Sequence, residues 1–154
     1  MNKLIIVIFT LVIFTSCSYE PMLSNKVFNY SFKEIILEGE RKTGERIKNS
    51  LVKKGGGEKK YILNIKTNKI RNIISNDRKG DPSIYELKLI VDYSVFEDEN
   101  NIYQNTLIKK VTYNDKVDKF ELSKYEENLL KNLSDNMANE IIIEISRLTE
   151  WLLN

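Results

Sequence analysis

Two hydrophobic periods divide this chain. From residue 32 to residue 113 apolar side chains mostly recur at every second position, and from residue 122 onward they recur every three, four or seven. Phe32 to Leu37 (FKEIIL) is a short strand candidate. Glu40 to Lys54 has helical spacing: Ile47, Leu51 and Val52 form one apolar face, Thr43 is placed as an N-cap, and Gly55-Gly56-Gly57 stops the helix. Tyr61 to Ile74 is strand-like. Tyr61, Leu63 and Ile65 alternate with polar residues, and the apolar set then moves to Ile70 and Ile74, with Ile73 alongside. That change of phase predicts a bulge or twist near Asn68-Lys69. Asn76 to Pro82 reads as a loop.

Ile84 to Phe96 is the clearest strand, with Tyr85, Leu87, Leu89, Val91, Tyr93 and Val95 on one face. Glu97 to Asn101 makes a hairpin turn, and Tyr103 to Tyr113 returns. A long helix follows from about Leu122 to Leu153, carried by Leu122, Leu129, Leu133, Met137, Ile141, Ile145, Leu148 and Leu152. Ser123 with Glu126 has the spacing of a capping box. The order β-α-β-β-β-α predicts an α+β fold, a two-layer sandwich in which a four-stranded mixed sheet carries two helices on one face. There is no internal repeat and no sign of a second domain.

The N-terminus has a different character. Met1-Asn2-Lys3 is followed by the apolar run Leu4 to Phe14, eleven residues broken only by Thr10. A run that short does not cross about 30 Å of hydrocarbon, but it fits the h-region of a signal peptide. Phe14-Thr15-Ser16-Cys17 then places small residues before the single cysteine. This is the pattern of a lipobox, with Phe14 in place of the usual aliphatic residue. The expected division is a lipoprotein signal peptide over 1–16, a lipidated tether over 17–29 and one α/β domain over 30–154. Cys17 would carry a diacylglycerol and an N-acyl chain, a thioether form that resists oxidation where a free thiol would not. Ser18, rather than Asp, after the cysteine points to the periplasmic face of the outer membrane.

Composition narrows the chemistry. With no histidine and one cysteine, the chain cannot build a zinc finger, a Ser-His-Asp triad or a Cys-His pair. It has no phosphate-binding glycine loop, and Gly55-Gly56-Gly57 follows a helix rather than opening one. The acid pairs Glu126-Glu127 and Asp98-Glu99 read as solvated surface. The expectation is a protein that is not an enzyme and holds no cofactor beyond the acyl chains. A net charge of +2 does not suggest a nucleic-acid binder, yet it averages unlike regions. Lys59 to Lys79 holds seven bases against Asp77, while Asp118 to Glu150 holds eight acids against four bases. The basic segment is either lysine-rich composition or a surface for an anionic partner.

Several motifs, taken in order, resemble the LptE family of lipopolysaccharide-assembly lipoproteins. Cys17-Ser18-Tyr19-Glu20-Pro21-Met22 resembles the family's opening, with Ser18 for Gly. Gly44 to Leu51 (GERIKNSL) resembles its first helix, with Glu45 inserted. Tyr85 to Phe96, Val111-Thr112-Tyr113-Asn114, Tyr125 to Asn128, and Met137 to Ile141 with Arg147-Leu148 are similar to its central strand, last strand and C-terminal helix. The resemblance implies an outer-membrane lipoprotein that plugs and helps assemble the LptD barrel and takes part in lipopolysaccharide transport to the outer leaflet. It also implies lipopolysaccharide contacts at Arg78 and Lys79, then Lys69 and Arg71, then Lys124. The alternative reading is an accessory lipoprotein of a periplasmic lipid ABC-transport system.

Overall fold

The computed structural model of the protein describes residues 28–151. Cys17, the expected signal peptide and most of the tether lie outside the described residues. The elements are β1 (Phe28–Gly39), α1 (Arg41–Val52), β2 (Gly55–Asn76), β3 (Pro82–Glu97), β4 (Asn100–Asn114) and α2 (Lys119–Trp151). One sheet runs in the order β1-β2-β3-β4. β1 and β2 are parallel, joined through α1, and the other two pairs are antiparallel. The sheet is therefore mixed, and the fold is the expected α+β two-layer sandwich.

The odd positions of β2 and β3 supply the core. Tyr61, Leu63, Ile65, Leu87, Leu89, Val91 and Val95 are buried together with Ile47 and Leu51 of α1 and Met137, Ala138, Ile141, Ile142 and Ile145 of α2. The Tyr30 hydroxyl donates to the Ile142 carbonyl at 3.3 Å, tying the first strand to the last helix. The β1–α1 corner needs glycine at position 39. Its φ is +85°, and a Cβ there would stand 2.0 Å from the Thr67 carbonyl oxygen. That oxygen accepts the Glu40 N–H at 3.0 Å, while the Thr67 hydroxyl donates to the Glu40 carbonyl at 2.8 Å.

Several boundaries differ from the expected ones. Glu40, not Thr43, caps α1: its carboxylate accepts the Thr43 N–H at 2.7 Å, and Thr43 itself is buried. Gly55-Gly56-Gly57 ends the helix but also opens β2, because β1 offers a parallel partner there. Nothing slips near Asn68-Lys69; Thr67, Asn68 and Lys69 pair in step with Val91, Ile90 and Leu89. Against β3 the irregularity lies between Ile73 and Asn76, and against β1 the register shifts at Phe28–Tyr30 and Phe32–Glu34. The apolar phase changes for another reason: past Thr67, β2 leaves its pairing with β1, and its later odd positions, Lys69, Arg71 and Ile73, are exposed, the first two at a polar cleft beside the helices rather than in the core. Likewise α2 begins at Lys119. Asp118 caps it, accepting the Phe120 and Glu121 N–H groups at 2.8 and 3.3 Å, and Ser123 sits inside the helix.

Candidate functional site

The second half of the basic segment becomes the outer strand of an arm formed by the far ends of β2, β3 and β4, while Lys59, Lys60 and Lys66 lie where β2 pairs with β1. β2 and β3 extend beyond α1 and close through a short loop in which Asp77 accepts the backbone N–H groups of Lys79 and Asp81 at 2.8 and 2.9 Å. Gly80 takes φ of +91° in that turn. Arg78 and Lys79 therefore stand exposed at its end, and neither forms an ion pair among the described residues.

Lys69 and Arg71 lie at the base of the arm. With Glu40, Lys42, Glu126 and Glu127 they line a cleft of about 210 Å³ between β2 and the two helices. Lys69 is exposed. Burial works to raise the Glu40 pKa, but the hydrogen bond from the Thr43 N–H and the charges of Lys69 and Lys42 hold the carboxyl below its ordinary range. Arg71 is engaged from three sides. Its Nε donates to the Glu126 carboxylate at 2.9 Å and to the Tyr113 hydroxyl at 3.3 Å, and its guanidinium lies 3.7 Å from the Tyr85 ring centroid. Burial disfavours the arginine charge, but those hydrogen bonds prevail and push its pKa up. The Tyr113 hydroxyl donates to Glu126 at 2.7 Å; burial and that carboxylate raise its pKa to about 12. Tyr85 stacks on Tyr113 at 5.6 Å, and Tyr125 meets Tyr113 edge-on at 6.1 Å. Lys116 sits 4.6 Å above Tyr125, closing a run of three tyrosines between two cations.

The structure thus separates the five expected lipopolysaccharide contacts. Arg78 and Lys79 are at the arm's end, Lys69 and Arg71 at its base, and Lys124 exposed on the second turn of α2. Only Arg71 has its guanidinium committed to protein partners. Glu126 and Glu127 do not behave alike or as idle surface. Glu126 is the acceptor at the centre of the tyrosine run, and Glu127 holds Lys42 at 2.6 Å and Arg46 at 3.0 Å, joining the two helices. Asp98 and Glu99 are in the turn as expected, Asp98 with φ of +53°.

A second carboxylate cluster was not legible in the sequence. Glu144 accepts from the hydroxyls of Tyr93 and Tyr103, the latter at 3.1 Å, and from the Asn105 amide at 3.0 Å. Burial would raise the Glu144 pKa, yet three donors hold it below the ordinary range. A cavity of about 380 Å³ beside it is lined by Tyr103, Glu144, Arg147 and Leu148.

Neither a family model nor a curated protein matches the chain. Solved structures do match the fold. The chain is similar to rare lipoprotein B from Shewanella oneidensis, at 15% identity and a TM-score of 0.62, over 79% of this chain and 99% of that one. It is also similar to lipoprotein B from Nitrosomonas europaea, at 16% identity and 0.59, over 85% and 93%. A minor lipoprotein from Acinetobacter baumannii gives 16% identity and 0.57, over 81% and 96%. The chain therefore shares a fold that bacterial lipoproteins use.

Proposed function

We propose that this protein is an outer-membrane lipoprotein of the LptE type. In this reading it is anchored through acylated Cys17, occupies an LptD-type barrel and takes part in moving lipopolysaccharide to the outer leaflet. The fold carries the reading: its solved neighbours from Shewanella, Nitrosomonas and Acinetobacter are all described as lipoproteins. The lipobox pattern ending at Cys17 supports the same assignment. The role is not enzymatic, and it needs no cofactor other than the acyl chains.

Arg78 and Lys79 are the residues best placed for an anionic headgroup. They stand in the loop at the end of an arm in which β4 backs the β2–β3 hairpin, with the loop's own Asp77 occupied by backbone N–H groups. Phosphate groups would accept charge-assisted hydrogen bonds from them. Lys69 and Lys124 would add longer-range attraction, and Arg71 would keep the arm's base in position.

The test is recovery of the acylated protein from envelopes. Co-purification with an outer-membrane barrel is the expected result; recovery alone from the inner membrane rejects the reading. A periplasmic component of a lipid transporter as the partner would favour the alternative. For the arm, Arg78→Asp with Lys79→Asp is expected to weaken lipopolysaccharide binding at least tenfold with an unchanged melting temperature. Undiminished binding at low salt, where the attraction is least screened, refutes the headgroup role.

A further inference from the structure

β2 loses a neighbour partway along. β1 pairs with it only as far as Gly39 on Thr67, where the chain turns into α1, whereas β3 stays beside it to Asn76. Asn68 to Ile73 therefore form a sheet edge, in regular step with Ile90 to Tyr85. The Thr67 carbonyl faces the β1 side and accepts the Glu40 N–H at 3.0 Å. Alternate residues of a strand turn their N–H and C=O groups to opposite sides. Lys69, Arg71 and Ile73 therefore present theirs where β1 would have continued, and no other strand among the described residues takes them up. The outer edges of β1 and β4 are open along their length. This edge is instead closed at one end by the Gly39–Glu40 corner, which sets where an added strand must stop.

A cleft adjoins the edge. Lys69 and Arg71 also line the space of about 210 Å³ beside the helices, to which Leu87 and Leu130 give an apolar wall. Its three acids are engaged: Glu40 by the Thr43 N–H, Glu126 by Arg71 and Tyr113, Glu127 by Lys42 and Arg46. With Arg46 counted, the bases Lys42, Arg46, Lys69 and Arg71 exceed those acids by one, and Lys69 is the base in no ion pair among the described residues. The Ser123 hydroxyl, which also lines the cleft, has no hydrogen bond among the described residues. Lysine on a strand edge ordinarily discourages pairing, because a like charge opposite it is unfavourable. One uncommitted base beside an apolar wall instead selects a strand that brings an acidic side chain.

N–H and C=O groups repeating at every second residue match the edge of another strand, not a lipid or a compact ligand. Neither stretch outside the described residues reaches them. Phe28 pairs with Gly55, about 46 Å of strand from Lys69 at roughly 3.3 Å per residue, while residues 17–27 fully extended span at most about 40 Å. Residues 152–154 follow an α2 end that lies about 37 Å along the helix from Glu126. A second copy fits poorly. Pairing this edge with itself about Arg71 sets two arginines opposite each other, and registers further out run into the irregular stretch after Ile73. We propose that Asn68–Ile73 takes up an extended segment of a partner protein as an added strand, with an acidic side chain of that segment over the cleft beside Lys69 and Ser123. The contact uses neither Arg78 nor Lys79, so it goes beyond the lipopolysaccharide reading and does not require it.

The probe is a short blocked peptide of alternating threonine and valine with one central glutamate, added to the full, processed protein in detergent. Amide exchange read by NMR should slow at least tenfold at Lys69, Arg71 and Ile73, with little change at Ile70 and Asn72, whose N–H groups face β3. The same peptide N-methylated at every amide should give no protection. A peptide with lysine in place of the glutamate should bind at least fivefold more weakly, and Lys69→Glu should reverse that preference. No protection by the glutamate peptide, equal protection by the methylated one, or a preference that Lys69→Glu leaves in place overturns the proposal. If Lys69→Glu does not fold, the native protein's choice between the glutamate and lysine peptides decides the matter. Protection of the same three amides by rising concentration of the protein alone also overturns it, by making a second copy the occupant. None of these outcomes bears on lipopolysaccharide binding through Arg78 and Lys79.

Discussion

Glu126 and Glu144 lie on one face of α2, about five turns apart at 3.6 residues per turn, and each docks the helix on tyrosines of the sheet. The two clusters differ in how the carboxylate is balanced. Glu126 shares its site with the Arg71 guanidinium, so charge is neutralised by charge, at the edge of an open cleft. Glu144 has no side chain in ion-pair contact among the described residues and is held by three neutral donors, with Arg147 acting only at longer range. Two solutions to one docking problem therefore coexist on one helix. The neutral-donor site fixes the far half of α2 to β3 and β4. The charge-paired site fixes the arm that carries the basic loop.

That contrast predicts unequal losses. Glu144→Ala is expected to be the more damaging change. It removes the acceptor from three donors, one of them on buried Tyr93, and should cost about 2–3 kcal/mol in urea unfolding. A loss below that of Glu126→Ala would contradict the ranking. Glu126→Ala should cost about 1 kcal/mol, because the stranded Arg71 is partly exposed and water can take over some of its hydrogen bonding. Arg71→Lys should lose less stability still, yet loosen the arm: lysine keeps a charge but cannot hold Tyr113 and Glu126 at once while stacking on Tyr85. Faster amide exchange in residues 68–76 would show it, and unchanged exchange would not fit. Lys42→Ala, in an exposed pair with Glu127, should leave the urea midpoint where it is.

Acid should act on the Glu144 site, whereas alkali should act on both sites, because Tyr113 at one and Tyr93 and Tyr103 at the other have raised pKa values. Glu144 has a depressed pKa in the fold, so its contribution is complete above the unfolded value near 4.3 and is lost as pH falls through the folded value. Tyr113 has a raised pKa, about 12, so its contribution is complete below the unfolded value near 10 and is lost as pH climbs from there through the folded one. Glu144→Gln should make the acid limb of the stability profile shallower, and Tyr113→Phe should remove only part of the alkaline limb, to which Tyr93 and Tyr103 also contribute. Melting curves across pH that respond the other way round would break the assignment.

Much of the scaffold follows from local pattern. The alternation in Ile84 to Phe96 names a face that the structure buries, and of the helix face named after Leu122 it buries Leu122, Met137, Ile141 and Ile145 and partly buries Leu129, Leu133 and Leu148, while Leu152 lies outside the described residues. Where reading along the chain failed, a distant strand or a choice between neighbouring caps decided the outcome. The glycine run is a strand because β1 lies beside it, and Thr43 is buried because Glu40 reaches over to cap the helix. Arg71 was legible as a base on a strand but not as a paired one, since Glu126 is 55 residues away. Glu144 gave only one signal, a carboxylate on an otherwise apolar helix face beside Ile141, Ile142 and Ile145.

The sequence by itself determined the element types, the mixed α+β order, the lipobox pattern and the absence of histidine chemistry, because these depend on neighbours within a turn or a strand. Only the tertiary structure decided which cations are committed and which remain outward. Arg71 is taken by Glu126 and Tyr113, while Arg78, Lys79 and Lys124 are exposed with no ion pair among the described residues. A side chain's charge is written in the chain, but whether that charge is spent on a partner depends on contacts between residues far apart in sequence.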